Sequence, residues 1–541
     1  MRIEGRWVRR QHVLRAMVTV LALGMVSTVR AQETVKVDGG QLQGTVDAQS
    51  KVRAFKGIPY AAPPIGALRW REPQPAKPWD GVRKATSFGD RCVQKRVYDD
   101  MVFRDGMSED CLYLNVWTPA TSATDALPVM VWIYGGGFQA GSASEPRQDG
   151  GRLAQKGVVV VSMNYRLGIF GFFAHPELTK ESPNHASGNY ALMDQIAALQ
   201  WVKNNITAFG GDPKNVTIFG ESAGSFAVSG LMAAPPAQGL FQRAIGESGA
   251  FFSRTGGPLS PKTLEAAEKD GASFGESNGA PSLEALRAKS ADDVLEAASK
   301  VPFRFGPIVD GYVFPKDVRE IYAAGEQSHV PLLAGWNKDE IRAAVTLAKE
   351  KPTPASAAEK ARKDFGDRAD AVLKLYPAST NEEAIESAAS YASDGFIAYA
   401  TWKWLEMQME TGKSPVYRYS FDQAPPIEAG RKVNGVEVTA KDIGARHAGE
   451  IEYVFGALDP GGPPWQPEDH KVSDLMMSYW SNFAKKGDPN GPGLPKWPEY
   501  SGKSGYQVMH ISTEPHAAPD AHRARYEFLD EKAPAAAPSS R

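Results

Sequence analysis

An excess of charge of either sign is missing from this chain. Its 541 residues carry 61 Lys and Arg against 63 Asp and Glu, a formal net charge of −2, and the signs are interspersed. That leaves no electrostatic footprint for DNA, RNA or an anionic membrane, so no nucleic-acid partner is expected. Cysteine is scarce too. Cys92 and Cys111 are the only two; in an oxidising compartment such close cysteines usually pair, the alternative being two buried free thiols. Long apolar runs are lacking beyond the N-terminus, so the mature chain is not expected to cross a bilayer. No internal repeat is visible.

The N-terminus departs from this even composition. Met1 to Ala31 carries Arg2, Arg6, Arg9, Arg10 and Arg15, then the apolar segment Ala16 to Val29 and the small residue Ala31. This order reads as a secretory signal peptide cut near Ala31, since a transmembrane anchor would need about 20 apolar residues. Export to a periplasm or the exterior is therefore expected, with 32–531 forming one large domain. The Ala-, Pro- and Ser-rich end, 532–541, reads as a disordered tail.

Within the main segment, Thr34 to Val37 and Leu42 to Val46 alternate around Gly39-Gly40 and predict an N-terminal hairpin. The runs Leu112 to Trp117, Pro128 to Ile133, Val158 to Ser162 and Val216 to Phe219 are apolar enough to be strands covered on both faces. Met193 to Val202 has helical spacing and supplies a crossover between the last two. The fold class is accordingly α/β, a large, mostly parallel central sheet flanked by helices. Leu264 to Ser299 and Ala355 to Leu405, rich in Ala, Glu and Lys, predict helical insertions that wall a pocket.

Gly220-Glu221-Ser222-Ala223-Gly224 follows one of these strands and precedes a small-residue stretch. A serine on so sharp a strand-to-helix turn presents its hydroxyl above the sheet, which makes Ser222 the candidate nucleophile. Gly271-Ala272-Ser273-Phe274-Gly275 has the same pattern but follows a charged helical stretch, so Ser273 reads as a helix-end decoy. Gly246 to Ala250 resembles the motif only superficially. A serine nucleophile needs a base and a group that orients the base. Of the downstream histidines, His470, His510, His516 and His522 lie in polar stretches and read as ordinary surface residues, whereas His447 sits in a loop just ahead of an ordered segment. The acid is expected after the strand Val330 to Gly335, where Asp339 and Glu340 compete and the residues alone do not separate them. Tyr134-Gly135-Gly136-Gly137-Phe138 follows a strand with unobstructed glycine amides, so Gly136, Gly137 and Ala223 are the expected oxyanion donors. No cofactor or metal is called for.

Together these residues resemble the type B carboxylesterase family, the cholinesterase-like branch of the α/β hydrolases. Phe55 to Tyr60, Ser108 to Asn115, Asn164 to Gly168, Phe209 to Pro213, Phe483 to Lys485, Gly487 to Asn490 and Trp497-Pro498 carry the likeness, from about Val35 to Tyr526. The resemblance implies an α/β-hydrolase fold, a Ser222, Glu340, His447 triad and a Cys92 to Cys111 disulfide beside the gorge. It departs at Tyr134, where such loops commonly carry histidine, and at Ile341, where a glycine usually follows the acid. It implies a serine carboxylic-ester hydrolase acting on a small-molecule ester. The intact triad argues against the adhesion proteins of this fold. The Cys92 to Cys111 segment has no tryptophan to stack a quaternary ammonium, Phe103 and Tyr98 being poor substitutes, which argues against cholinesterase activity. The chain also looks like fumonisin esterases, which release tricarballylate from a long aminopolyol. Such an acyl group would want cationic partners, for which Arg304 and Arg342 are the candidates.

Overall fold

A 13-stranded sheet organises the molecule. The computed structural model describes residues 32–98, 101–253, 259–433, 435–458 and 462–531, so the expected signal peptide and tail lie outside the described residues. The strands are β1 (Gln32–Val37), β2 (Gly40–Val46), β3 (Arg53–Pro59), β4 (Val82–Lys84), β5 (Tyr113–Thr118), β6 (Leu127–Ile133) and β7 (Val159–Met163). They continue as β8 (Gly211–Glu221), β9 (Arg243–Glu247), β10 (Leu332–Asn337), β11 (Val416–Phe421), β12 (Gln507–Ile511) and β13 (His516–Pro519). Their spatial order is β1-β2-β3-β5-β7-β6-β8-β9-β10-β11-β12-β13, with β4 beside β2. From β7 to β12 every pairing is parallel, while the flanks are antiparallel except for β4, which pairs parallel with β2.

The hairpin expected at the N-terminus is present, with Val37 opposite Gly40. The centre is parallel because each crossover carries helices that cover a face, which is why all of β7 and the run Val129 to Ile133 of β6 are buried. Burying each such valine contributes roughly 1.5–3 kcal/mol. The expected crossover is the helix Tyr190–Asn205. Both insertions are helical, the second continuing through a π-helical turn, Asp394–Ala398, into the helix Tyr399–Thr411. Ser273 lies within the helix Leu264–Ser277, exposed, rather than at its end. The helix runs on because Phe274 and Gly275 are still buried against the body of the protein.

Strands β9, β11 and β12 carry charges or are short, so apolar patterning did not announce them. In β11, Arg418 is buried because it pairs with Asp520 and lies 4.1 Å from the Trp336 ring centroid. A buried charge so partnered is tolerated where an unpaired one is not.

Cys92 and Cys111 are joined by a disulfide. It closes the segment that carries Gln94, whose side-chain oxygen accepts from the Gly141 amide at 2.8 Å and whose nitrogen donates to the Gly141 carbonyl at 2.8 Å. Met101, from the same segment, comes within 3.1 Å of where a Gly136 Cβ would stand. The bridge thus fastens a loop to the glycine-rich turn after β6. Replacing it by Cys92→Ser removes about 3 kcal/mol of constraint on the unfolded chain. The expected outcome is a lower thermal midpoint in calorimetry, and the parent protein, unfolded without reductant, should show no alkylatable thiol by intact mass.

Candidate active site

Strand β8 ends at Glu221 and the helix Ala223–Ala233 begins at once, leaving Ser222 alone between them with φ 53° and ψ −122°. A non-glycine residue there is strained and persists only where its surroundings hold it. The Ser222 amide donates to the Glu247 carbonyl of β9 at 2.8 Å, and its carbonyl accepts from Phe226 at 2.9 Å. The flanking glycines are required by crowding: a Cβ at Gly220 would lie 2.6 Å from the Ile133 carbonyl oxygen, and one at Gly224 would collide with that same oxygen.

The partly exposed Ser222 hydroxyl is 2.9 Å from Nε2 of His447. Nδ1 of that ring is 2.6 Å from Oε2 of Glu340, whose side chain is fully buried. The other Glu340 oxygen accepts from the Asn337 amide at 2.8 Å and from the Ser248 hydroxyl at 2.6 Å. Glu340 therefore has its acceptors filled and can turn only one edge to the ring. The His447 amide also donates to the Glu340 carbonyl at 2.9 Å, tying the two loops together. Asp339, the competitor, faces away, accepting from the Ala445 amide at 3.1 Å and lying 3.6 Å from Arg342. Of the other histidines, His470 is exposed, His510 pairs with Asp422 at 2.8 Å, and His516 stacks on His510.

Four buried groups around these residues escaped the sequence reading. Ser248 belongs to the lookalike Gly246 to Ala250 and here donates to Glu340. Glu221, inside the elbow motif itself, places Oε1 3.3 Å from His447 Nε2 while its side chain is 3% exposed. Glu450, accepting from Asn337 at 2.5 Å, and Glu247, accepting from Trp480 at 2.7 Å, complete a buried carboxylate cluster behind the ring. Burial and then the charges of Glu221 and Glu340 push Glu450 up to about 8, and burial with Glu450 pushes Glu247 well up. For His447, burial opposes the charged ring, but Glu221 and then Glu340 outweigh it and raise its pKa to about 9.

The glycine-rich turn leaves β6 beside the elbow, a Cβ on Gly135 standing 3.0 Å from Cβ of Ser222. Gly136 and Gly137 take φ of 100° and 61°. Their carbonyls are engaged, that of Gly136 by Gln139 and Ala140 and that of Gly137 by Arg304 at 3.2 Å. Tyr134 stacks on Tyr165 at 4.4 Å, and the Tyr165 hydroxyl donates to the Tyr134 carbonyl at 2.6 Å. The next residue, Arg166, is gripped by Asp194 through two bonds of 2.7 and 2.8 Å. Gly168 then donates to Phe138 at 2.7 Å, so the Asn164 to Gly168 segment braces the turn from behind. From the second insertion, Phe396 sets its ring edge-on against His447 at 5.1 Å. Of the two arginines nominated for an anionic acyl group, Arg342 is consumed by Glu386, at 2.5 and 2.6 Å, and by Asp339. Only Arg304 reaches this site.

Raising of the ring pKa by Glu221 is open to a direct measurement. The downfield imidazole proton shared with Glu340, followed by proton NMR, should titrate above the ordinary 6.5 or so of histidine. In Glu221→Gln the midpoint should fall; an unchanged midpoint would show that Glu221 does not act on the ring. The parent midpoint would lie above the step between roughly pH 5.5 and 7.5 expected of an unperturbed histidine.

The chain matches the carboxylesterase family over residues 31–529. It is 36% identical over 526 residues to the fumonisin B1 esterase of Sphingopyxis macrogoltabida, covering 91% of each chain. It is 34% identical over 498 residues to carboxylesterase 1C of Mus musculus, covering 86% of each. Among solved structures, a PNB esterase superposes with a TM-score of 0.77 at 33% identity, covering 92% of this chain and 99% of that one.

Proposed function

Since this chain belongs to the carboxylesterase family and is a carboxylic-ester hydrolase, we propose that Ser222 is its nucleophile, His447 its base and Glu340 the acid that orients the base. The observation that carries this reading is the unbroken path from Ser222 Oγ to His447 to Glu340, at 2.9 and 2.6 Å, on a strained elbow. Neutral His447 carries its proton on Nδ1, toward Glu340, and accepts the serine proton at Nε2 as Oγ attacks the ester carbonyl carbon. The amides of Gly136, Gly137 and Ala223 hold the resulting oxyanion, each worth roughly 3–4 kcal/mol in the transition state. The imidazolium then protonates the departing alkoxide, and the alcohol leaves an acyl group on Ser222. Water, deprotonated by the same ring, attacks that acyl group; collapse of the second oxyanion returns the proton to Ser222 and frees the acid.

The disulfide supports export through the 1–31 leader, because such bonds persist in oxidising compartments. The sheet running from Gln32 to Pro519 supports reading 32–531 as one domain. A narrower reading, that the ester carries tricarballylate groups on a long aminopolyol, is favoured by the likeness to a fumonisin B1 esterase along nine-tenths of both chains. A hydrolysis screen of short aryl esters, long alkyl esters and tricarballylate diesters separates it from general esterase activity.

Ser222→Ala should lower ester turnover by about 10⁴-fold or more with an unchanged circular dichroism spectrum, while Ser273→Ala should match the parent. Glu340→Gln should cost on the order of 10³- to 10⁴-fold in kcat, and Asp339→Asn far less. If the Asp339 variant were folded and crippled while the Glu340 variant turned over normally, the acid would be Asp339. Because only the neutral ring is a base, kcat/KM should rise with pH through the pKa of His447, and that limb should move to lower pH in Glu221→Gln.

A further inference from the structure

We propose that Arg304 is a specificity-determining residue, binding a free carboxylate that the ester substrate carries beside its scissile bond. The inference rests on the reading of Ser222 as nucleophile and Gly137 as an oxyanion donor, and it adds a substrate charge that this reading does not require. Nη2 of Arg304 donates to the Gly137 carbonyl at 3.2 Å and lies 2.7 Å from where a Gly137 Cβ would stand. The guanidinium is thus placed on the loop that turns its amides to the reacting carbonyl.

The backbone that carries it is held on both sides. Phe303 and Phe305 pack edge to face at 5.4 Å, Phe305 packs on Phe274 at 5.7 Å, and the Phe305 carbonyl accepts from the side chain of Gln139 at 2.9 Å. Gln139 belongs to the same glycine-rich turn, so Arg304 and Gly137 are fixed to each other twice.

Among the described residues Arg304 forms no ion pair, and the Gly137 carbonyl is its only hydrogen-bond acceptor. Arg243 and Arg319 also rest on neutral acceptors, away from Ser222, but several other partly or fully buried arginines hold a carboxylate. Arg69 holds Glu109, Arg166 holds Asp194, Arg342 holds Glu386, and Arg523 holds Glu406. A guanidinium presents five donors in a planar fork suited to a carboxylate, and this one spends a single donor on a neutral carbonyl. Burial weakens its hold on the proton, yet it remains charged over the whole working range of pH. A half-buried cation left without an anion is costly in the free protein. A substrate carboxylate would relieve that cost on binding and would set the ester carbonyl against the oxyanion amides, whereas an uncharged ester leaves the guanidinium unanswered.

The test compares matched esters in a pH-stat: monomethyl glutarate against methyl pentanoate for a charge on the acyl side, and O-butyryl glycolate against ethyl butyrate for one on the alcohol side. The parent should favour at least one charged ester by about tenfold in kcat/KM, chiefly through KM. Arg304→Gln should erase that preference and Arg304→Lys should restore part of it, which loss of mere support for the glycine turn would not do. Isothermal calorimetry with Ser222→Ala should detect tricarballylate binding that disappears in Ser222→Ala/Arg304→Gln. Equal losses on charged and neutral esters in Arg304→Gln, or a parent with no preference for charge in either pair, overturns the proposal while leaving the esterase reading intact. A parent that hydrolyses none of the four esters, while the tricarballylate calorimetry still depends on Arg304, would fault the reading of the reaction instead.

Discussion

The backbone of Ser222 is the constraint on which the site depends. With φ at 53° it sits where an L-residue is strained, a cost of about 1–3 kcal/mol that the surroundings must offset. They do so by pinning its amide to β9, and by bringing the β6 carbonyl of Ile133 so close that only glycines fit at 220 and 224. Three adjacent parallel strands therefore fix one hydroxyl. Because the sheet is buried on both faces, the serine has no compliant neighbour into which it could relax.

Around that fixed point the charge distribution is one-sided. Glu221, Glu340 and Glu450 are buried and act on His447, the group that gains a positive charge when it takes a proton, and buried Glu247 in turn feels the charges of Glu450 and Glu221. Desolvation penalises each carboxylate, and their mutual repulsion explains why Glu247 and Glu450 hold their protons beyond the usual carboxyl range. Glu340 is distinguished by two donors, the Asn337 amide and the Ser248 hydroxyl, on the oxygen turned away from the ring. The arrangement favours a charged imidazole, and so a strong base. Its consequence is that the neutral ring, the form able to accept a proton, is favoured only at higher pH than for an ordinary histidine.

The walls around Ser222, His447 and Glu340 come from distant parts of the chain and are fastened by few contacts. The disulfide-closed segment reaches the glycine turn through Gln94 and Met101, the Asn164 to Gly168 segment braces it through Tyr165 and Gly168, the stretch that follows the first insertion contributes Arg304, and the second insertion contributes Phe396. The rigid sheet holds the chemistry, while residues that choose among substrates hang on loops and helices whose sequence is free to change.

Local patterning in the sequence was enough for β6, β7, β8 and β10 of the parallel core, the N-terminal hairpin, the crossover helix and the elbow, because each is specified within a few consecutive residues. The glycine turn was legible for the same reason, and the resemblance to carboxylesterases singled out Glu340 from Asp339. What no local pattern held is which side chains meet across 25 to 233 residues of chain. Ser248 looked like a failed copy of the elbow and donates instead to Glu340, 92 residues on. Arg304 and Arg342 looked alike as candidate partners of an anionic acyl group until packing gave Arg342 a glutamate and Arg304 a backbone carbonyl. Composition and periodicity determine which segments are buried, since hydrophobic burial is a property of each segment. Partner choice, strain and the pKa of His447 were decided only by tertiary structure, because electrostatic and hydrogen-bond energies depend on distances of a few ångströms that sequence separation does not encode.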